Sequence, residues 1–312
     1  MTTRMKSTKT IIDPLQNTAH SLQIIGHNGP IYSIDADDTY LYSAASDKYV
    51  TRWLKSTGEQ DAFAIRCEAV PFAIALFAHA SKIAIGLSTG QLHIVNLSDK
   101  KELHHFTQHK VGIFAIYEST IQQLLFVGDA DGILSIWDSE TLKLNIVLPL
   151  NCGKIRSIKH LDPKTIMVAG GNGEIVIFEL EFMNEVHRFF AHEEGTSALC
   201  VDESTRQIIS GGKDAYLRWW DADTFQLIKA LPAHKGNIYG LAFIDAQRFV
   251  SVSRDKTVKI WNAQTRQVWK KLEGKNGGHR QSVNALWTNH QGQFAFAGDD
   301  KMIHFFPFDE QL

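Results

Sequence analysis

Seven eleven-residue windows of this 312-residue chain lie over one another at a nearly constant interval. They read SAASDKYVTRW (43–53), IGLSTGQLHIV (85–95), VGDADGILSIW (127–137), VAGGNGEIVIF (168–178), SGGKDAYLRWW (210–220), SVSRDKTVKIW (251–261) and FAGDDKMIHFF (296–306). Their last residues, Trp53, Val95, Trp137, Phe178, Trp220, Trp261 and Phe306, follow one another at steps of 42, 42, 41, 42, 41 and 45 residues. A fixed period of roughly 20–50 residues marks a chain of small units, none of which can bury its apolar face alone. The units must pack on one another, so the fold has to repeat seven times.

Within each window the residue types prescribe a strand, a turn and a second strand. A small, Gly- or Ser-rich segment leads to a turn acid at the fifth position: Asp47, Asp131, Asp214, Asp255 and Asp300, with Thr89 and Asn172 in the other two windows. The next residue is Gly90, Gly132 or Gly173 in three of them, as a tight hairpin needs. Alternating β-formers follow, with Val258 and Ile260 flanking Lys259, and end on a large apolar side chain. Runs such as IYSIDA (31–36) and IYGLAF (238–243) precede the windows and supply a further strand. Runs such as FQLIKAL (225–231) and RQVWKKL (266–272) supply the fourth. Each unit is therefore one four-stranded antiparallel sheet.

Length alone would suit two domains. The repeat accounts for the chain as one ring instead, with its 44% hydrophobic residues spread between units rather than pooled. The 32 basic and 34 acidic side chains leave a formal net charge of −2, which argues against a general binder of nucleic acid or anionic membrane. No stretch approaches the roughly 18–20 apolar residues of a membrane helix. No apolar run follows the positively charged start, so no secretory signal is expected. Cys67, Cys152 and Cys200 have no paired spacing, which predicts a reducing, cytoplasmic setting without a disulfide framework.

A Gly-His pair or its remnant opens each repeat: Gly26-His27, Gln108-His109, Ala191-His192, Ala233-His234 and Gly278-His279, with Arg66-Cys67 and Asn151-Cys152 in the same place. The windows close on Trp137-Asp138 and Trp220-Asp221, and on Trp53-Leu54, Trp261-Asn262 and Phe178-Glu179 elsewhere. Over residues 20–312 the chain thus resembles the WD-repeat family of β-propellers. The resemblance implies an all-β, seven-bladed propeller of four-stranded antiparallel blades, and residues 1–19, Thr/Ser/Lys-rich at first, read as a flexible N-terminal tail. Only PFDEQL follows Phe306, too little for a fourth strand. The run at 20–25 is expected to complete the last blade from the other end of the chain.

The family pattern also implies a hydrogen-bonded chain of His, Ser or Thr, Asp and Trp in each blade. Three repeats keep all four residues: His27, Ser43, Asp47, Trp53; His192, Ser210, Asp214, Trp220; and His234, Ser251, Asp255, Trp261. Repeat three keeps His109, Asp131 and Trp137 but has Val127 at the hydroxyl position. Repeat seven keeps His279 and Asp300, with Phe296 and Phe306 in the other two places. Repeats two and four have lost nearly all of the set and should rely on apolar packing around Val95 and Phe178. Ser, His and Asp are also the ingredients of a hydrolase triad. Here the set recurs at the blade period, so these are read as framework residues and no catalytic residue is assigned.

Function is then expected on a surface rather than in a fingerprint. By resemblance, one face carries the residue five after each His equivalent, or four after Cys152: Tyr32, Phe72, Phe114, Arg156, Ser197, Tyr239 and Asn284. It also carries the residue before each turn acid: Ser46, Ser88, Ala130, Gly171, Lys213, Arg254 and Asp299. Tyr32, Phe72, Phe114, Arg156, Lys213, Tyr239, Arg254, Asn284 and Asp299 are the candidate partner-binding residues. Aromatic rings beside Arg are the composition of a protein-binding hot spot. The expected function is a non-enzymatic scaffold, monomeric by itself, for a protein or peptide partner with acidic and aromatic groups. One alternative is a hydrolase-like propeller enzyme with its site at the central channel. It would need converging acids or metal ligands on innermost strands that read IYSID, PFAIA, IFAIY, IRSIK, TSALC, IYGLA and VNALW. Another is weak nucleic-acid binding through the local basic sector Arg156, Lys213 and Arg254. No cofactor or metal is expected, since His104, His105 and His109 are read as ordinary strand and loop histidines.

Overall fold

Each unit of the repeat folds as one antiparallel blade because the connections between its strands are only two to five residues long and leave no other partner in reach. The computed structural model describes residues 21–77, 81–274 and 276–307. The tail expected over residues 1–19 lies outside these residues. Blades one to six occupy residues 31–66, 71–106, 113–149, 155–190, 196–232 and 238–272, each with four strands paired in chain order. Blade seven takes three strands from residues 283–306 and its outer strand, Leu22–Ile25, from the start of the described chain. Ile24 pairs there with Ile303 and Leu22 with Phe305. Closing the ring in this way leaves no long strand edge unpaired at the junction.

The turn after each acid requires one residue in the left-handed region. Gly90, Gly132 and Gly173 provide it in blades two to four, and Lys48, Ala215, Lys256 and Lys301 adopt φ of 65–75° in the others. Beyond the turns, apolar side chains form seven separate buried clusters, one between each pair of neighbouring blades. Blade-to-blade contact is close. A Cβ on Gly86 or Gly128 would lie 2.5 or 2.4 Å from Cγ2 of the next blade's Ile113 or Ile155, so small residues hold this position.

Within blade one, His27 Nδ1 donates to Asp47 Oδ2 (3.0 Å), Ser43 Oγ donates to His27 Nε2 (2.8 Å), and Trp53 Nε1 donates to Ser43 Oγ (2.7 Å). The same chain joins His192, Asp214, Ser210 and Trp220 in blade five. It joins His234, Asp255, Ser251 and Trp261 in blade six. Every polar atom in these buried chains finds a partner, as burial demands.

Blade three corrects the sequence reading. His109 Nδ1 lies 2.7 Å from Asp129, not Asp131, and its Nε2 lies 2.8 Å from Ser135 Oγ, which also accepts from Trp137 Nε1. Asp129 takes over the turn as well, accepting the backbone N–H groups of Asp131 and Ile133. Blade three is therefore a complete polar chain with its hydroxyl on the third strand. In blade seven, His279 bonds Asp300 and the carbonyl of Phe296, and the ring of His304 packs edge-on against it at 4.7 Å.

Candidate functional site

The innermost strand of every blade bulges at its second residue, and these seven residues are Tyr32, Phe72, Phe114, Arg156, Ser197, Tyr239 and Asn284. A bulge inserts one residue that opposes no partner and turns its side chain away from the regular alternation. Here all seven side chains turn into the mouth of the central channel and line a cavity of about 580 Å³. Arg254 and Asp299, from the turns, complete its wall. A neighbouring cavity of about 510 Å³ shares Arg156, Tyr239 and Arg254 with the first and adds Lys213, Lys235 and Glu194.

Five of the bulged side chains form one continuous stack. Tyr32 meets Phe72 edge to face at 5.5 Å, and Phe72 stacks on Phe114 at 4.6 Å and 20°. The Arg156 guanidinium sits 5.2 Å from the Phe114 ring and 5.6 Å from the Tyr239 ring. Lys154 reaches the Phe114 ring at 4.0 Å. The aromatic and basic sectors read from the sequence are thus one surface, joined through Arg156.

Among the described residues, cations outnumber carboxylates around the two cavities, where Arg156, Lys159, Lys213, Lys235 and Arg254 face Asp299, Glu194 and Asp255. Arg156 is half-buried and makes no ion pair or hydrogen bond among the described residues. Burial lowers its pKa, with only Tyr239 opposing. Burial, then repulsion from Arg156 and Lys213, lowers that of Lys154. Such a set of cations can hold an anion, and the rings beside it can hold an apolar or aromatic group.

The remaining candidates divide. Lys213 and Arg254 are exposed and stand at the second cavity. Asn284 is committed to the framework: its Nδ2 donates to the Ile31 carbonyl of the next blade (3.1 Å) and to Asp299 Oδ1 (2.7 Å). Asp299 in turn helps burial raise the pKa of Tyr32. Ser197 is buried and donates to Asn237 of the next blade.

Two charged residues deeper in the channel escaped the sequence reading, which found no recurring inward acid. Asp35 accepts the backbone N–H groups of Ala36 and of Leu76 in the next blade. Burial pushes its carboxyl up to about 6, although those hydrogen bonds and Lys159 pull the other way. Lys159 is encircled by the ring while its side chain faces the channel space, and burial lowers its pKa. One acid and one ammonium, both placed by strand position rather than by a motif, attract each other across the channel.

Comparison with known proteins agrees with the fold. The family model "WD domain, G-beta repeat" matches residues 19–53, 100–138, 183–221 and 225–262. The matched segments fall in blades one, three, five and six, the four with a complete polar chain. The chain is 21% identical over 208 residues to Protein hir1 of Schizosaccharomyces pombe, a match covering 55% of this chain and 22% of that protein. It is 33% identical over 139 residues to the LEC14B protein of Lithospermum erythrorhizon, covering 42% of this chain and 28% of that protein. The chain thus spans about a quarter of the length of these curated relatives. Among solved structures, the WD40 β-propeller domain of Doa1 superimposes with a TM-score of 0.79 at 15% identity, covering 93% of this chain and 96% of that one.

Proposed function

Because the chain belongs to the WD-repeat family of β-propellers, whose members typically serve as non-catalytic platforms for protein partners, we propose that it is a scaffold. Its channel mouth takes a protein or peptide that presents an aromatic or apolar group next to an acidic one. The observation that carries this reading is the unbroken stack Tyr32–Phe72–Phe114–Arg156–Tyr239, in which the guanidinium between Phe114 and Tyr239 has no ion-pair partner among the described residues. Aromatic rings and Arg give large contact area with a polar handle, and such groups dominate binding energy where they cluster. A carboxylate arriving beside Arg156 would regain the Coulomb attraction that burial denies it, and Lys154, Lys213, Lys235 and Arg254 lie around the same opening. The free thiols of Cys67, Cys152 and Cys200 favour the cytoplasm as its place of work.

Charge reversal of Arg156, Lys213 and Arg254 together tests the reading. Affinity capture from the native cell extract, compared by mass spectrometry with the unaltered chain, should lose its specific partners while the circular dichroism spectrum stays unchanged. Capture that survives the triple change rejects the site. Capture of nucleic acid with steep salt dependence would support the basic-sector alternative instead.

A further inference from the structure

Blade two has none of the polar chain that ties blades one, three, five and six: Cys67, Ile85, Thr89 and Val95 stand at its four positions. A different polar cluster occupies the same place. His93, on the third strand (Leu92–Asn96), sits directly opposite Ile85. That register position is held by Thr51 in blade one and Ser135 in blade three, both of which bond the blade's histidine. The His93 side chain is 19% exposed, yet its Nε2 is buried and has no hydrogen-bond partner among the described residues. A buried ring nitrogen left unpaired is costly, and each one needs a reason.

Two side chains flank that nitrogen. Glu68, the residue after Cys67, places Oε1 4.0 Å from His93 Nε2. His105, on the outer strand (Glu102–Phe106), is the direct cross-strand neighbour of His93, with the two rings stacked 4.5 Å apart. One ligand atom from each of Glu68, His93 and His105 lies within 4.8 Å of the other two. On the opposite edge of the ring, His93 Nδ1 is hydrogen-bonded to Glu102.

We propose that Glu68, His93 and His105 form a binding site for one divalent transition-metal ion of the zinc class. Two imidazoles and a carboxylate are a borderline donor set that suits Zn²⁺, whereas Ca²⁺ and Mg²⁺ take oxygen ligands. The Glu102 carboxylate accepts the Nδ1 proton of His93, which fixes the tautomer and leaves the Nε2 lone pair for the ion. Bonds of about 2.0–2.2 Å bring tetrahedral donors to about 3.4 Å from each other, so the cluster must contract by up to about 1.4 Å. Glu68 and His105 are exposed and free to make that movement, and His105 swings out of its stack to aim at the same point. Three protein ligands leave a fourth position for water or an incoming group. The ion would clamp the connection between blades one and two onto the outer strand, in a blade that lacks the polar chain.

The test is calorimetric titration of Zn²⁺ into the chelator-stripped full chain, with Co²⁺ absorption as a second readout of tetrahedral geometry. One ion per chain is expected. His105→Ala and Glu68→Gln change exposed side chains and should each weaken binding at least tenfold without altering the melting temperature of the metal-free protein. Glu102→Gln should weaken it by about 10–100-fold through the loss of its hold on His93. His104→Ala, whose ring stacks on Phe106 instead, should bind as the unaltered chain does. Absence of one-to-one binding, or binding that persists undiminished in His105→Ala and Glu68→Gln, overturns the site.

Discussion

Val127 and Ser135 stand directly opposite each other on the second and third strands of blade three, in the register that sets Ser43 against Thr51 in blade one. Both positions of such a pair face the same imidazole, so a hydroxyl at either one can accept from the indole and donate to the histidine. Ser135→Ala should leave His109 Nε2 and Trp137 Nε1 unpaired and cost about 1–3 kcal/mol. Adding Val127→Ser in the same chain returns a hydroxyl to the second strand and should recover most of the loss. Urea unfolding midpoints of the three chains check this. A Ser135→Ala midpoint equal to that of the unaltered chain would mean that the polar chain contributes nothing in blade three.

Ring closure makes a second contrast within one strand. Ile24 is 1% exposed and packs between blades seven and one, whereas its neighbour Ile25 is 42% exposed. Ile24→Ala should cost about 2–5 kcal/mol by opening a cavity in that core. Ile25→Ala should stay within about 0.5 kcal/mol. Deleting residues 1–25 uncovers the edge of the strand Met302–Phe306, and such edges recruit other chains. Size-exclusion chromatography should find the truncated chain aggregated; a soluble monomer with an unchanged melting curve would contradict the closure argument.

Acid should destabilise the ring in two stages. Burial holds the pKa of His192 and His234 down, against the pull of Asp214 and Asp255, and burial together with His279 holds His304 at about 3. Between that value and the ordinary imidazole value near 6.5, the unfolded chain binds more protons than the folded one. The stability supplied by neutral histidines is therefore complete above about 6.5 and drains away as the pH falls. A second stage comes from carboxylates. Burial raises Asp214, but hydrogen bonds from His192 and Arg218 prevail and hold it at about 2, so its contribution is lost as the pH falls from about 4 towards that value. Melting temperatures across pH 7 to 3 should fall throughout, and His304→Phe should flatten the upper stage. An equal slope in that variant would remove His304 from the account.

The seven-fold period and the polar chains of blades one, five and six were readable in the sequence because they depend on residue types at fixed spacings along the chain. Register across strands is not written that way. Ser135 replaces a hydroxyl expected eight residues earlier, and Asp129 replaces an acid expected two residues later, since each lies opposite or beside the missing group only once the hairpin has formed. The candidate site divides on the same line. Spacing from the histidine picked out Tyr32, Phe72, Phe114, Arg156 and Tyr239, but their contact with one another depends on a bulge in each innermost strand and on the radius of the ring. Asp35 and Lys159 belong to blades one and four, and His93 meets Glu68 only across a blade connection, so neither pairing has a signature in local sequence. Asn284 shows the opposite limit: it shares the spacing of the stack, yet its amide is spent on the Ile31 carbonyl.

Arg156 separates binding from stability. Its guanidinium is half-buried between Phe114 and Tyr239 without a carboxylate partner among the described residues, and burial lowers its pKa. Desolvating a charge without pairing it works against folding, while an apolar side chain of similar reach would pack against the same rings. Arg156→Leu should therefore melt at the temperature of the unaltered chain or above it. Partner capture requires the positive charge and should be lost in the same variant. Arg156→Lys tests the geometry as well as the charge, because an ammonium cannot stack between two rings as a planar guanidinium does, and it should restore capture only in part. Scanning fluorimetry and affinity capture on the three chains decide the matter: a large drop in melting temperature for Arg156→Leu would make Arg156 a framework residue, and full capture by that variant would take it out of the binding surface.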